Sequence, residues 1–284
     1  MRSVFKVSAA SVTEAVNAEL RDRIPRCAAG RAGNLEEAVE KAMFPGGKRI
    51  RPILTLLAAG MVTEDPAPAL IPAAALEFLH ASSLIFDDLP CMDDAGRRRN
   101  QPALHLEFGE ATAILAGLAL LNQAYEILSA WPDLLRVAVT AIGVDGMIGG
   151  QAADLCSGAA EIRNQKTAGL MRLTMVAGPM VCNAAGEQIA ALSRCGDLLG
   201  EAYQVLDDLR DISPLGVLGD KTPGQDKRNH RTSNYADLGF EGCKARLAML
   251  LANAGNDIQQ CFADGAPRDA LLQTLGKVYG HPLA

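Results

Sequence analysis

The chain has 284 residues, 49% apolar and 21% charged, with a net charge of −6. That is ample material for a packed core and too acidic for nucleic-acid binding as a main role. Seven cysteines form no CxxC pair and no even disulfide framework, so reduced thiols in the cytoplasm are expected. The N-terminus lacks the apolar core of a signal peptide. The longest apolar run, Ala111 to Leu121, falls short of the ~20 residues that a spanning helix needs, so no stable membrane insertion is expected.

Alanine and leucine abound while aromatics make up 4%, which favours helix over sheet. Apolar periodicity and helix breakers predict helices over about 9–23, 35–43, 50–62, 68–88, 108–129, 133–149, 167–184, 188–212, 239–256 and 267–279. Strand-like alternation is scarce and no internal repeat or linker interrupts the chain, which predicts one all-α domain over 1–284. The longest irregular stretch, 213–235, carries Lys221 and Arg231 and has the length of a lid or binding loop.

In chain order, the first chemical signal is Gly46-Gly47-Lys48-Arg49-Ile50-Arg51-Pro52. Lys48 and Arg51 follow a flexible double glycine and precede an apolar helix, where they can reach a phosphate with help from the helix N-terminus. His80, Leu84 and Asp87 or Asp88 then recur at helical spacing, leading into Asp87-Asp88-Leu89-Pro90-Cys91-Met92-Asp93-Asp94. Pro90 removes a helical hydrogen bond, and a bulge there would bring Asp93 beside Asp87. Arg97-Arg98-Arg99 follows directly, then Lys166-Thr167. A second acidic cluster, Asp207-Asp208-Leu209-Arg210-Asp211, places Asp207 and Asp211 on one helix face with Gln204 and Gly200.

Each basic segment alone reads as a solvated patch, and one Asp-Asp pair as a charged helix end. Two carboxylate triads beside large aliphatics are different, because desolvating them costs several kcal/mol unless cations meet them. Oxygen-rich sites of this kind suit Mg2+, which keeps waters and bridges carboxylates to substrate phosphates. Together the segments describe a site for metal ions and two polyanions.

These ordered motifs, over about residues 40–235, resemble those of the trans-isoprenyl (polyprenyl) diphosphate synthases, nearest the bacterial geranylgeranyl and farnesyl diphosphate synthases. The resemblance implies an all-α bundle around a deep cavity, usually homodimeric, with about three magnesium ions per active site. Asp87, Asp88, Asp93, Asp207 and Asp211 are the implied metal ligands. Asp88, Asp208, Lys166 and Lys221 join Asp87, Asp93 and Asp207 as implied catalytic groups. Arg98, Lys166, Thr167, Gln204, Lys221 and Arg231 are implied to hold the allylic diphosphate, and Lys48, Arg51, His80 and Arg99 to hold isopentenyl diphosphate. In the implied reaction, diphosphate leaves the allylic substrate, the isopentenyl double bond attacks the carbocation, and a proton is lost. Departures from the family pattern are Asn100-Gln101 in place of glycine, Gln225 and Arg231 in place of lysines, and the non-basic ending His281-Pro282-Leu283-Ala284. Asn100 tolerates a left-handed turn.

Product length is read from the helix carrying Asp87. Ser83 and Ser82, four and five residues upstream, lie one turn along the helix. In similar bacterial farnesyl diphosphate synthases the fifth upstream residue is typically aromatic. Ser82 is expected to leave that space open, with Phe78 and Leu79 deeper, giving geranylgeranyl diphosphate, with farnesyl diphosphate as the alternative. A class I terpene cyclase leaves Lys48, Arg51 and Arg99 without a purpose. A non-catalytic partner subunit is the third reading, although such partners usually lose acidic-motif aspartates and all are present.

Overall fold

The computed structural model describes residues 9–28, 32–156, 160–212 and 234–280. Their regular structure is helical apart from one hairpin of two two-residue strands. In chain order the α-helices are α1 (Ala9–Arg23), α2 (Leu35–Met43), α3 (Ile50–Gly60), α4 (Leu70–Asp87), α5 (Leu104–Phe108), α6 (Glu110–Leu128), α7 (Pro132–Ile142), α8 (Met147–Leu155), α9 (Ala160–Val181), α10 (Gly186–Ile212), α11 (Asn234–Cys261) and α12 (Ala266–Tyr279). The all-α class is as expected.

Local chemistry accounts for the boundaries. Helix α2 carries Glu36 and Glu37 in its first turn and Lys41 in its last, complementing the helix dipole. Helix α3 starts after Arg49, whose backbone is left-handed, and has Pro52 within its first turn. The stretch expected as one helix over 108–129 is two, because Gly109 at φ 82 turns the chain between α5 and α6. The stretch expected over 133–149 is also two, α7 and α8, separated by Gly143-Val144-Asp145-Gly146. Helix α9 begins earlier than the expected residue 167, so Lys166 lies on a helix rather than before one. Arg97–Arg98 pairs with Gln101–Pro102 around Arg99 (φ 49) and Asn100 (φ 62). The expected left-handed Asn100 is present.

Helix α4 is the axis of the fold. Phe78 and Leu76 are wholly buried and Leu79 nearly so, within a core that joins α1, α2, α6 and α7. A second core is centred on α10, α11 and α12, with Leu54 of α3 and Met175 of α9. Glycines let the helices between these cores approach to backbone contact. A Cβ at Gly200 would overlap Ala168, and one at Gly196 would overlap Arg172. These contacts set α9 and α10 antiparallel in a fixed register. Gly178 lies against the Thr55 carbonyl, and Thr55 Oγ1 donates to the Thr174 carbonyl at 2.9 Å, where α3 crosses α9 near Pro179.

Candidate active site

The last turn of α4 divides its two carboxylates between different partners. Asp87 Oδ1 stands 3.0 Å from Lys166 Nζ, and the same ammonium is 3.6 Å from Asp154 Oδ2 on α8. Asp88, 4% exposed, accepts from Arg98 Nε at 3.1 and 3.0 Å on its two oxygens and from Arg98 Nη2. Beyond Pro90 the chain folds back on the helix end. The Asp93 N–H donates to the Asp87 carbonyl at 2.9 Å, and the Ala95 N–H to the Asp88 carbonyl at 3.2 Å. The expected return of Asp93 to Asp87 is therefore seen.

Asp88, an expected metal ligand, is paired with Arg98 in this structure. Both of its oxygens accept from Arg98 in a buried pair, which anchors the loop that carries the arginines. Arg98 likewise presents Nε and Nη2 to Asp88. Burial alone would lower the Arg98 pKa, but the hydrogen bonds and charge of Asp88, with Asp87 and Asp93 behind, raise it.

On α10, Asp207 and Gln204 are half-buried and share a face. Gln204 Nε2 donates to Thr167 Oγ1, extending the α9–α10 register set by Gly200. Asp208 is buried on another side of α10. Its charge reaches Cys243 of α11, whose thiol pKa is raised first by burial and then by Asp208. The Asp211 side chain, Lys221 and Arg231 lie outside the described residues.

The carboxylates of Asp87, Asp93, Asp154 and Asp207 are hard oxygen donors. Among the described residues, no three His, Cys, Asp or Glu side chains form a closed cage. An open donor set of this type fits a hexacoordinate cation that keeps waters and takes other ligands from phosphate oxygens. Lys166 presently balances two of these acids. Gly150 determines its place, because a Cβ there would overlap the Lys166 backbone nitrogen.

A basic cluster lies beside this acidic one. Arg51 Nη1 is 3.4 Å from His80 Nε2, and Arg51 Nε is buried without a hydrogen-bond partner among the described residues. The Arg99 guanidinium packs on Gly47, where a Cβ would come within 3.1 Å. Lys48 is exposed at the rim, and no side chain caps the N-terminus of α3. Burial, then Arg51, Arg99, Arg98 and Arg49, holds His80 well below the ordinary histidine value of 6.5. A neutral imidazole among guanidiniums, with one buried N–H unused, is an anion seat.

The His80 shift has a signed consequence. Above pH 6.5 His80 is neutral in both folded and unfolded chains, and its contribution to stability is complete. As pH falls below that value toward the lowered folded one, the unfolded chain takes up a proton that the folded chain resists, and stability is lost. The melting temperature should therefore fall between about pH 7 and about pH 5 more steeply for the wild type than for His80→Gln. Parallel slopes would remove His80 as the cause.

The side chains expected to govern product length are packed differently from the expectation. Ser82 is buried and donates to the Gly117 carbonyl of α6 at 2.9 Å. The Phe86 ring covers the same glycine, where a Cβ would come within 2.8 Å of it. Ser82 therefore faces a closed α4–α6 seam rather than open space. Ser83, half-buried and donating to the His80 carbonyl at 2.8 Å, shares the Asp87 face of α4, with Leu79 one turn deeper. Arg49 and Gln151 escaped selection as site residues. Gln151 Oε1 is buried without a hydrogen-bond partner among the described residues, while its amide lies 3.6 Å from Met92 Sδ of the first acidic motif.

A model of the family described as Polyprenyl synthetase matches residues 33–261. Geranylgeranyl pyrophosphate synthase 12 of Arabidopsis thaliana is 37% identical over 245 residues, covering 79% of this chain and 68% of that protein. Farnesyl diphosphate synthase of Geobacillus stearothermophilus is 34% identical over 250 residues, covering 82% and 84%. The solved structure of a geranyltransferase from Helicobacter pylori, complexed with magnesium and isoprenyl diphosphate, superposes with a TM-score of 0.83 at 27% identity over 98% of this chain and 97% of that one. With its motifs, fold and relatives in agreement, this chain belongs to the polyprenyl synthetase family of trans-prenyl diphosphate synthases.

Proposed function

We propose that the chain joins isopentenyl diphosphate head-to-tail to dimethylallyl, geranyl or farnesyl diphosphate and releases geranylgeranyl diphosphate. The observation that carries this reading is the pair of adjoining seats of opposite character. The acidic seat of Asp87, Asp93 and Asp207, with Asp211 beyond, suits magnesium and an allylic diphosphate held by Lys166, Thr167, Gln204 and Arg98. The basic seat of Lys48, Arg51, His80 and Arg99 suits a second diphosphate without metal. A terpene cyclase has no use for that second seat.

Asp87, Asp93 and Asp207 would hold magnesium, which would supply Lewis-acid stabilisation of the charge on the departing diphosphate. The chain's own residues do the rest. Lys166 stands between the acids, ready to turn from Asp87 and Asp154 to phosphate oxygens. Neutral His80 keeps the basic seat able to accept and orient the second diphosphate. The aliphatic flanks of α4 exclude water from the carbocation.

For product length, neither Ser83 nor Ser82 is bulky, and the Asp87 face first meets a large side chain at Leu79. This favours twenty carbons. The closed seam at Ser82, Phe86 and Gly117 favours farnesyl diphosphate as the second reading, and the relatives carry both names. A homodimer is supported by Ile114, Leu115 and Leu118, exposed at helical spacing on α6, with Leu106 nearby. A reducing, cytoplasmic setting is supported by seven free cysteines.

Purified protein with magnesium, isopentenyl diphosphate and each allylic diphosphate should yield geranylgeranyl diphosphate by product chromatography. Ser83→Tyr should shorten the product to farnesyl diphosphate, whereas Ser82→Tyr has no room without parting α4 from α6. A wild type that stops at fifteen carbons with isopentenyl diphosphate in excess rules the product assignment out.

A further inference from the structure

The Gly46–Pro52 segment contains a third cation that faces away from the basic seat. Arg49 is 2% exposed and all three of its side-chain nitrogens are engaged. Nε donates to Asn17 Oδ1 of α1 at 3.0 Å. Nη1 donates to Glu77 Oε1 of α4 at 2.7 Å, and Nη2 to the Met43 carbonyl at the end of α2 at 2.6 Å. The Arg49–Glu77 pair is sealed, with side chains 1% and 3% exposed.

Its backbone is equally constrained. Arg49 has φ 52, a left-handed conformation that a residue with a Cβ adopts only when its surroundings over-determine it. Its carbonyl accepts from the Ile53 N–H at 3.1 Å, the first helical bond of α3. The Gly46 turn wraps the guanidinium so closely that a Cβ there would collide with it. Lys48 is the residue before Arg49, and Arg51 is two after it. Glu77 lies one turn before His80 on α4. A single buried guanidinium therefore ties the segment that carries Lys48 and Arg51 to the helix that carries His80, and both to α1 and the end of α2.

We propose that Arg49 is the positioning residue of the basic diphosphate seat: clasped by Glu77, Asn17 and the Met43 carbonyl, it sets the spacing of Lys48, Arg51 and His80 without touching substrate. The inference rests on the reading of that seat as the isopentenyl diphosphate site. Planar, three-way anchoring is a task for arginine that lysine's single point charge cannot reproduce.

Arg49→Lys keeps the charge and loses the fork. It should raise the Michaelis constant for isopentenyl diphosphate roughly ten- to a hundredfold, the scale of a displacement of about 1 Å. The constant for the allylic diphosphate and kcat should stay within about twofold. Glu77→Gln should act in the same direction. The double variant R49M/E77M guards against misfolding, because well-packed apolar pairs often replace buried ion pairs without loss of stability. It should recover the wild-type melting temperature and keep the raised constant, and calorimetric titration of isopentenyl diphosphate should show the same weakening. Equal rises in both Michaelis constants overturn the proposal, as does recovery of affinity together with stability in R49M/E77M. Lys48→Ala, assayed alongside, separates the two readings. If it weakens isopentenyl diphosphate binding and Arg49→Lys does not, the seat stands and Arg49 does not position it. If Lys48→Ala leaves binding unchanged, the seat assignment fails and the proposal falls with it.

Discussion

Asp207→Ala and Asp87→Ala should each lower turnover on the order of a thousandfold, a loss of about 4 kcal/mol of transition-state stabilisation, with helical content unchanged. Asp207 is half-buried on the α10 face that also presents Gln204, and Asp87 has Lys166 as its salt-bridge partner. Removing either carboxylate empties one corner of the acidic seat without opening the core. The effect on Lys166 adds to the loss in Asp87→Ala, because its ammonium then has Asp154 as its remaining acid partner at 3.6 Å. Raising magnesium should restore a minor part of the activity by mass action on the weakened site. Turnover within about tenfold of wild type at saturating magnesium would exclude Asp207 as a ligand.

The positions of these carboxylates were legible in the sequence because chemistry and periodicity agree there. Asp87 ends a long apolar helix, Asp207 lies in the last two turns of another helix beside large aliphatics, and Pro90 forces the turn that returns Asp93 to Asp87. Sequence spacing was weaker where adjacent residues diverge. Asp87 and Asp88 are neighbours in the chain but about 100° apart on the helix, so one meets Lys166 and the other Arg98. The same holds for Asp207 and Asp208. Which of two adjacent aspartates faces the site depends on where α10 meets α11 and where the arginine hairpin folds back, and both are tertiary facts. Ser82 departs from expectation for the same reason. It lies with Ser83 one turn upstream of Asp87, yet contact with Gly117 of α6 decides that Ser82 closes a seam.

Glycine was the least legible signal. Gly109 and the Gly143–Gly146 segment break helices that apolar periodicity carries straight through. Gly150, Gly196 and Gly200 sit inside helices and do the opposite, bringing α8 and α10 into backbone contact with α9. Only the partner helix distinguishes a glycine that ends an element from one that admits a neighbour. Arg49 illustrates a further limit. In the sequence it is one of three cations in seven residues, and its burial follows from a left-handed backbone that charge patterning cannot reveal.

Asp88→Leu tests the division of labour at the end of α4. The substitution keeps the branching of the side chain and leaves the Arg98 guanidinium, whose side chain is 15% exposed, without its bidentate partner. Stranding a buried charge costs about 3–5 kcal/mol, and partial access of Arg98 to water places the expected loss near the lower end. For a chain of this size that corresponds to a melting temperature lowered by roughly 6–12 °C. Asp88→Leu/Arg98→Met should recover most of this loss, since neither charge then remains buried alone. The magnesium concentration giving half-maximal activity should stay close to the wild-type value in Asp88→Leu and rise clearly in a conservative Asp87→Asn variant. That contrast separates a carboxylate that fixes the arginine hairpin from one that meets metal. If Asp88→Leu melted like wild type but required far more magnesium, Asp88 would be a ligand after all, and Arg98 would have to leave it when substrate binds.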